Sequence, residues 1–173
     1  TGVIDILRLM GADIELANPR ALGGEPVADV RVRHAPLHGI RIPPEWVPLA
    51  IDEFPALFIA AANARGQTVL TDAAELRVKE SDRIQVAAGA LQALGVAAQP
   101  TPDGVCIDGG PYHGARIDSH GDHRIAMAFA IAALCASSAV TVNDCANVDT
   151  SFPGFVTLAR RAGLSVVSSQ PHG

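Results

Sequence analysis

The densest group of charged residues lies at 75–83 (ELRVKESDR), directly before an apolar segment with helical periodicity. Ser81 or Asp82 is suited to cap the helix that follows, so Arg83 falls in its first turn. The helix dipole disfavours a cation there by a few tenths of a kcal/mol. An anion bound at that end would remove the conflict, since free N–H groups, the dipole and the guanidinium would all attract it. A solvated run of mixed charge that only caps a helix is the alternative.

A second cluster at 118–124 (DSHGDHR) repeats this arrangement before another apolar helix. Asp122 is suited to the cap, and Arg124 is again a cation in the first turn. Two helices that break the same electrostatic rule indicate a function, because local violations of folding rules tend to mark functional sites. Arg83 and Arg124 together therefore predict a shared site for a carboxylate or a phosphate.

The stretch before the first of these helices is predicted to be extended. Apolar Leu76 and Val78 alternate with the cations Arg77 and Lys79. Side chains alternate between the two faces of an extended chain, so Arg77 and Lys79 would share one face.

An internal repeat gives Asp52 the same place as Asp122. Each aspartate precedes an apolar helical segment, a short polar break and a Thr-Val strand, and the two lie about 70 residues apart, as Gly95 and Gly163 do. Units that alternate helices with strands predict an α/β domain built by duplication. By itself, Asp52 could simply be the cap of its helix.

The repeats divide the chain into three parts. Residues 1–43 match only the end of one unit, 44–110 form a second unit and 111–173 a third. A chain that begins inside a repeat is one explanation, and a divergent first unit is the other, since terminal repeats are often atypical. We expect the former, and hence an incomplete domain. Gly11, like Gly95 and Gly163, is placed to end a helix in a left-handed conformation.

The composition limits the classes of protein that the chain could be. Hydrophobic residues make up 49%, charged residues 18% and aromatic residues 4%, which predicts a folded core of small aliphatic side chains. The net charge of −5 argues against a nucleic-acid partner. The most apolar run, 125–136, is shorter than the roughly 20 residues of a membrane span, and no signal peptide is evident at residue 1, so no membrane partner is expected.

The cysteines indicate a reducing compartment, which we take to be the cytoplasm. Cys106, Cys135 and Cys145 are odd in number and form no C-x-x-C pair. We expect all three to be packing residues rather than disulfide partners or metal ligands.

Two other chemistries share the residues of the second cluster. His120 and His123 with Asp122 could bind a metal, as in a metal-dependent hydrolase, but neither the ligand count nor an orienting partner is evident. Ser119, His120 and Asp122 are the residue types of a nucleophilic triad, yet residues so close in sequence seldom reach its geometry. We expect no metal site.

Four motifs in order resemble the C-terminal domain of the EPSP synthase family, the 3-phosphoshikimate 1-carboxyvinyltransferases of the shikimate pathway. They are IDEFPAL at 51–57, RVKESDR at 77–83, GDHRIAMAFAIAAL at 121–134 and TSFPGF at 150–155. The resemblance covers nearly the whole of 1–173 but only the later part of the family's sequence. It implies that the N-terminal domain, and the start of this one, are missing.

The resemblance implies an α/β (α+β) fold of the enolpyruvate transferase type. Each of the family's two domains is built from three βαβαββ units around a pseudo-threefold axis, with helix N-termini directed at the cleft between the domains. The family moves the enolpyruvyl group of phosphoenolpyruvate to the 5-hydroxyl of shikimate 3-phosphate and releases phosphate. The resemblance implies that the reaction needs neither a metal nor an organic cofactor, and that the full-length protein is a monomer.

Catalytic residues are carried over by motif position. Asp52 resembles the carboxylate that binds the shikimate hydroxyl and accepts its proton. Glu80 resembles the acid that protonates the methylene of phosphoenolpyruvate and later takes the proton back. Two separately tuned carboxylates suit this chemistry, since one must hold a proton while the other lacks one.

Substrate-binding residues follow in the same way. Lys79 resembles a ligand of shikimate 3-phosphate, and Arg83 and Arg124 resemble the cations that hold phosphoenolpyruvate. Asp122 and His123 complete the D-H-R element, where we expect orienting roles, with His123 also at the substrate.

Two departures from the family pattern concern the ligand set. Many members carry a phosphoenolpyruvate-binding Lys just before the T-F-P of the last motif, whereas residues 147–153 (NVDTSFP) contain none. Glu75 replaces an Asn that touches shikimate 3-phosphate in some relatives.

Two alternatives remain at this point. One is the sister enolpyruvyl transferase that acts on UDP-N-acetylglucosamine, although RVKESDR favours the shikimate enzyme. The other is a non-catalytic binding domain of the same fold. For the shikimate enzyme, we expect the isolated chain to be inactive, because the missing domain should supply the other ligands.

Overall fold

Helices and strands alternate along residues 2–168, the part of the chain that the computed structural model describes. The α-helices in this range are α1 (Gly2–Leu9), α2 (Phe54–Ala62), α3 (Arg83–Ala93), α4 (His123–Ala132), α5 (Asn147–Ser151) and α6 (Phe155–Arg161). The strands are β1 (Asp13–Leu22), β2 (Glu25–Arg33), β3 (Gly66–Leu70), β4 (Ala97–Thr101), β5 (Gly104–Gly109), β6 (Arg116–Asp118) and β7 (Thr141–Asn143). Short 3₁₀ helices span Pro44–Trp46, Pro48–Glu53 and Ala74–Val78.

Three helices end at the glycines that the sequence indicated. Gly11, Gly95 and Gly163 follow α1, α3 and α6 with φ of 100°, 92° and 102°. A left-handed residue at this place ends a helix, and glycine adopts it without a steric penalty. The predicted helix ends are confirmed.

The sheets repeat one pairing. Strands β3, β5 and β4 form an antiparallel sheet in that order, and residues 37–42 run parallel to β3 through the bridges His38–Arg65 and Arg41–Val69. Strand β6 likewise runs parallel to β7. Helix α2 connects residues 37–42 to β3, and helix α4 connects β6 to β7, so each helix crosses between two parallel segments. The division of the chain into 1–43, 44–110 and 111–173 stays a prediction.

The hairpins β1–β2 and β4–β5 have matching registers but different surroundings. Val30 and Val32 on β2 take the places that Val105 and Ile107 take on β5, counted from the glycine that ends the preceding helix. Val105 and Ile107 are 2% and 1% exposed, and α2 packs on their strand, whereas Val30 and Val32 are 57% and 65% exposed. The first hairpin therefore presents an apolar face that its counterpart buries.

The core lies between α2, α3 and α4. Phe54 and Phe129 are fully buried among alanines and branched aliphatic side chains, as the low aromatic content predicts. Small residues allow the three helices to contact one another closely. Among residues 2–168, no helix combines the length and the apolar character that crossing a membrane requires.

Two expectations about single residues were wrong. Residues 74–78 form a 3₁₀ helix instead of an extended segment, because the backbone N–H of Leu76 bonds back to Ala73 O instead of pairing with a strand. Cys135 and Cys145 are exposed rather than packed, although both, like Cys106, are free thiols.

Two adjacent glycines provide a matched test of the packing at the end of β5. A Cβ on Gly109 would overlap the carbonyl oxygens of Ala61 and Ala64, whereas a Cβ on Gly110 would meet no atom within 4 Å. Gly109→Ala should therefore lower the free energy of unfolding by about 2 kcal/mol, measured by urea denaturation of the chain. Gly110→Ala should change it by less than about 0.5 kcal/mol. Equal losses in the two variants would contradict this account.

Candidate active site

Arg83 is the centre of the charged cluster. It is the first residue of α3, and its side chain is fully buried. Its Nε donates to Asp122 Oδ2 at 2.9 Å, its Nη1 to Asp52 Oδ1 at 3.0 Å and its Nη2 to Glu80 Oε2 at 2.5 Å. Three carboxylates from separate parts of the chain thus meet on one guanidinium.

Asp122 joins the starts of two helices. Its Oδ1 accepts the backbone N–H groups of Arg124 at 2.9 Å and Ile125 at 3.3 Å, which confirms it as the cap of α4. Its Oδ2 accepts from Arg83 and also from Ser81 Oγ at 3.0 Å. The carboxylate is fully buried, with donors on both oxygens. This position suits the orienting role expected for Asp122, and buried charges need such partners.

The charges of this pair shift their proton affinities. Burial opposes ionisation of Asp122, but the hydrogen bond and the charge of Arg83 outweigh it and lower the pKa of Asp122 below its ordinary value of 3.8. Burial likewise opposes the charged form of Arg83, yet Asp122, then Glu80 and Asp52, raise the pKa of the guanidinium. Both groups are therefore charged at neutral pH.

Lys79 lies between two carboxylates on the exposed side of the cluster. Its Nζ is 2.5 Å from Glu75 Oε1 and 3.4 Å from Asp52 Oδ1. The hydrogen bond from Lys79 to Glu75 makes the largest contribution to a raised pKa of the ammonium. For Asp52, partial burial is the largest influence and raises the pKa, but Lys79, then Arg124 and the hydrogen bond from Arg83, outweigh it and lower the pKa below 3.8.

Arg124 connects α4 to the turn that carries Asp52. Its Nη1 donates to the backbone carbonyl of Asp52 at 2.9 Å, and Glu53 Oε1 lies 4.0 Å away. Both first-turn arginines predicted from the helix dipole thus come together around Asp52.

Asp52 does not cap α2, contrary to the simple expectation from sequence. It lies in the 3₁₀ helix Pro48–Glu53, and α2 begins at Phe54 after Glu53, with Pro55 in its first turn and no side-chain cap. Because the 3₁₀ turn after Ala50 leads directly into the helix, the backbone needs no capping carboxylate there. The Asp52 side chain is instead left to contact Lys79 and Arg83.

Arg77 and Lys79 do not share a face. Arg77 binds the carbonyl oxygens of Thr101 and Pro102 and the carboxylate of Asp82, away from Asp52. The 3₁₀ helix, with about three residues per turn, separates two cations that a strand would align. Arg77 thus forms a structural ion pair with Asp82, and of these two cations it is Lys79 that reaches Asp52.

The second cluster folds as a tight loop. His120 and Gly121 both have positive φ, and the buried Ser119 hydroxyl lies 2.7 Å from Asp144 O and 3.0 Å from Asn143 O. His123, half-buried, opens α4 beside Asp122. Across residues 2–168, no three His, Cys, Asp or Glu side chains group in a way that could hold a metal ion.

Three polar side chains support this cluster through contacts that the sequence analysis did not predict. Ser81, named only as a possible cap, donates to Asp122. Ser119 anchors the loop before α4, and Asn147 Nδ2 donates to Gly121 O at 2.7 Å from the segment in which a lysine was sought. Partners 24 to 41 residues away leave no local signal, so only the tertiary structure reveals these roles.

The arrangement can perform two kinds of chemistry. Arg83, Arg124 and Lys79 provide positive charge at the starts of α3 and α4, where backbone dipoles also attract an anion. Asp52 and Glu80 place two partly exposed carboxylates, 42% and 51% accessible, beside these cations. Such a pair can accept and donate protons next to a bound anion.

Comparison with known proteins identifies relatives of the chain. The sequence model of the family EPSP synthase (3-phosphoshikimate 1-carboxyvinyltransferase) matches residues 1–158. A Methylococcus capsulatus protein named 3-phosphoshikimate 1-carboxyvinyltransferase is 66% identical over 166 residues, covering 96% of this chain and 38% of the relative. One from Alkalilimnicola ehrlichii, with the same name, is 62% identical over 174 residues, covering 100% of this chain and 39% of the relative.

A solved structure of EPSP synthase from Acinetobacter baumannii superposes with a TM-score of 0.96 and 55% sequence identity. The match covers 98% of this chain and 40% of that one. The predicted fold class, an enolpyruvate transferase-like α/β domain, is confirmed. The chain spans about two-fifths of the length of the relatives and structures that it matches.

Removing the charge of Asp122 should destabilise the chain. In Asp122→Asn the buried Arg83 loses its most buried partner, so the free energy of unfolding should fall by about 3 kcal/mol at pH 7 in urea denaturation. The folded-state pKa of Asp122 is lowered from 3.8. Its contribution is therefore fully present above pH 3.8 and is lost as the pH falls through the lower folded-state value.

Asp108→Asn is the matched control, because this exposed carboxylate has one hydrogen-bonding partner among residues 2–168, the side chain of Gln67 at 3.1 Å. Its effect should stay below about 0.5 kcal/mol. The difference in the free energy of unfolding between wild type and Asp122→Asn should shrink below pH 3.8. If it does not, Asp122 does not have the lowered pKa assigned to it.

Proposed function

The chain belongs to the EPSP synthase family, and from this membership we propose that it forms part of a 3-phosphoshikimate 1-carboxyvinyltransferase. The observation that carries the proposal is the meeting of Asp52, Glu80 and Asp122 on Arg83. Three family motifs, far apart in sequence, thereby place two exposed carboxylates and a buried cation in one site.

The proposed reaction joins phosphoenolpyruvate to shikimate 3-phosphate. The 5-hydroxyl oxygen attacks C2 of phosphoenolpyruvate, Asp52 accepts the hydroxyl proton, and Glu80 gives a proton to the methylene carbon C3. Glu80 then takes a proton back from the resulting methyl group while phosphate leaves, carrying the proton held by Asp52. The lowered pKa of Asp52 supports its role as acceptor, because the group is ionised at neutral pH.

The cations are proposed to hold the two anionic substrates. Arg83 and Arg124 take phosphoenolpyruvate, and Lys79 takes shikimate 3-phosphate. The residue type supports the assignment of the arginines, since guanidinium groups bind carboxylates and phosphates in pairs of hydrogen bonds. The neighbouring helix starts add to the attraction for an anion. Asp122 and His123 orient the start of α4, and Asp122 does so through contacts to Arg83 and to the backbone of Arg124.

The remaining three-fifths of the relatives' length is proposed to complete the enzyme. It would supply further substrate ligands across the cleft and cover apolar surface such as Val30 and Val32. We place the working enzyme in the cytoplasm as a monomer, and the three free thiols fit a reducing compartment.

The chain alone should not turn over. Purified chain given phosphoenolpyruvate and shikimate 3-phosphate should release no phosphate above the rate without protein. A chimaera in which this chain replaces the matching 38% of the Methylococcus capsulatus relative should release phosphate with both substrates present. Activity of the chain alone, or a chimaera that accepts only UDP-N-acetylglucosamine as the second substrate, would contradict the proposal.

The two exposed carboxylates should carry the chemistry. In the chimaera, Glu80→Gln and Asp52→Asn should each lower kcat by at least about 100-fold, because each removes a proton-transfer group. Glu25→Gln, at the far end of the β1–β2 hairpin, is the control and should keep wild-type kcat. A non-catalytic binding domain would show no loss specific to the first two variants.

A further inference from the structure

Arg83 has no accessible face in this structure. Its side chain is fully buried, and each of its three nitrogens donates to a carboxylate. The proposed function requires the same guanidinium to hold the anionic groups of phosphoenolpyruvate. A substrate anion can therefore reach Arg83 only after one of these three carboxylates has moved away.

The three carboxylates are held with different strength. Asp122 is buried and accepts from Ser81 and from two backbone N–H groups besides Arg83. Asp52 is shared between Arg83 and Lys79. Glu80 is 51% exposed, and Arg83 is its one hydrogen-bonding partner among the residues of 2–168. Glu80 is also on the longer side chain, so it is the carboxylate that leaves most easily.

We propose that Glu80 is an internal counter-ion that covers Arg83 until the substrate anion displaces it. This inference rests on the proposed function and deepens it, because it couples binding to chemistry. The incoming anion takes over Arg83 Nη2 and releases the Glu80 carboxylate, which takes up a proton from solvent water before it gives one to C3 of phosphoenolpyruvate. The same side chain thus competes with the substrate for Arg83 and then acts on the substrate.

The competition predicts opposite effects of one substitution on affinity and on turnover. The substrate must break a charge-assisted hydrogen bond, one of the stronger kinds in proteins, before it gains its own. Glu80→Gln removes the competing charge, so the anion should bind more tightly although catalysis is lost. If Glu80 only contacted the substrate, the same substitution would make the substrate bind less tightly.

The first test measures access to Arg83 without any substrate. The chain is treated with phenylglyoxal, which modifies guanidinium groups, and the rate at each arginine is read by peptide mass spectrometry. Glu80→Gln should raise the rate at Arg83 at least about tenfold, a change that corresponds to loss of one charge-assisted bond. The rate at Arg124, whose side chain is partly exposed, should stay unchanged.

Glu53→Gln is the matched control. It removes the same unit charge next to the other arginine, where Glu53 Oε1 lies 4.0 Å from Arg124. It should leave the rate at Arg83 unchanged, which separates release of the cover from a general change in charge. An unchanged rate at Arg83 in Glu80→Gln would overturn the proposal.

The second test measures affinity in the chimaera. Titration calorimetry with phosphoenolpyruvate should give a Kd at least about tenfold lower for Glu80→Gln than for wild type, and a change below about threefold for Glu53→Gln. A Kd for Glu80→Gln equal to or above that of wild type would overturn the inference even if the chimaera is active. The wild-type chimaera could be inactive while Glu80→Gln still raises the phenylglyoxal labelling of Arg83 in the chain. That combination would refute the proposed function and leave Glu80 as the cover of Arg83.

Discussion

The buried ion pair between Arg83 and Asp122 is the interaction on which the rest of the site depends. It joins the first residue of α3 to the cap of α4, two helices that also pack in the core. Burying both charges carries a large desolvation cost, which is offset only because hydrogen bonds satisfy both groups. Asp122 meets this condition with donors from Arg83, from Ser81 and from the backbone of α4. The relative position of the two helix starts is therefore closely defined.

The same pair resolves the electrostatic conflict that a cation at a helix start creates. The dipole of α3 disfavours Arg83 at its first position. The sequence indicated an anion that would relieve this conflict, and the structure supplies one from within the chain, as the carboxylates of Asp122, Asp52 and Glu80. The attraction of this cluster for anions is thus already used by its internal contacts, and any external anion would have to compete with them.

Asp122 and Asp52 precede similar apolar helices, but the backbone before the two helices differs, and so does the exposure of the two carboxylates. Asp122 caps α4 and is fully buried, whereas Asp52 sits in a 3₁₀ turn and keeps 42% of its side chain accessible. The turn replaces the cap that α2 would otherwise need, so Asp52 is available for other contacts. One acid is therefore fixed at a helix start, while the other stays partly exposed. Partial burial raises the pKa of Asp52, but Lys79, Arg124 and Arg83 outweigh it and hold the pKa below its ordinary value.

Local features of the sequence determined the cap at Asp122 and the helix ends at Gly11, Gly95 and Gly163, and they supplied the family motifs that identify the fold. They limited the cap of α3 to Ser81 or Asp82, and the structure shows that it is Asp82. These depend on neighbouring residues, where hydrogen bonds span two to four positions. Only the tertiary structure decided which acids meet Arg83, since Asp52 and Asp122 lie 31 and 39 residues away from it. It also decided that Lys79 and not Arg77 reaches the site, because a 3₁₀ turn and a strand direct the same two side chains differently. Pairing at such separations is set by the packing of α2, α3 and α4, for which local spacing carries no signal.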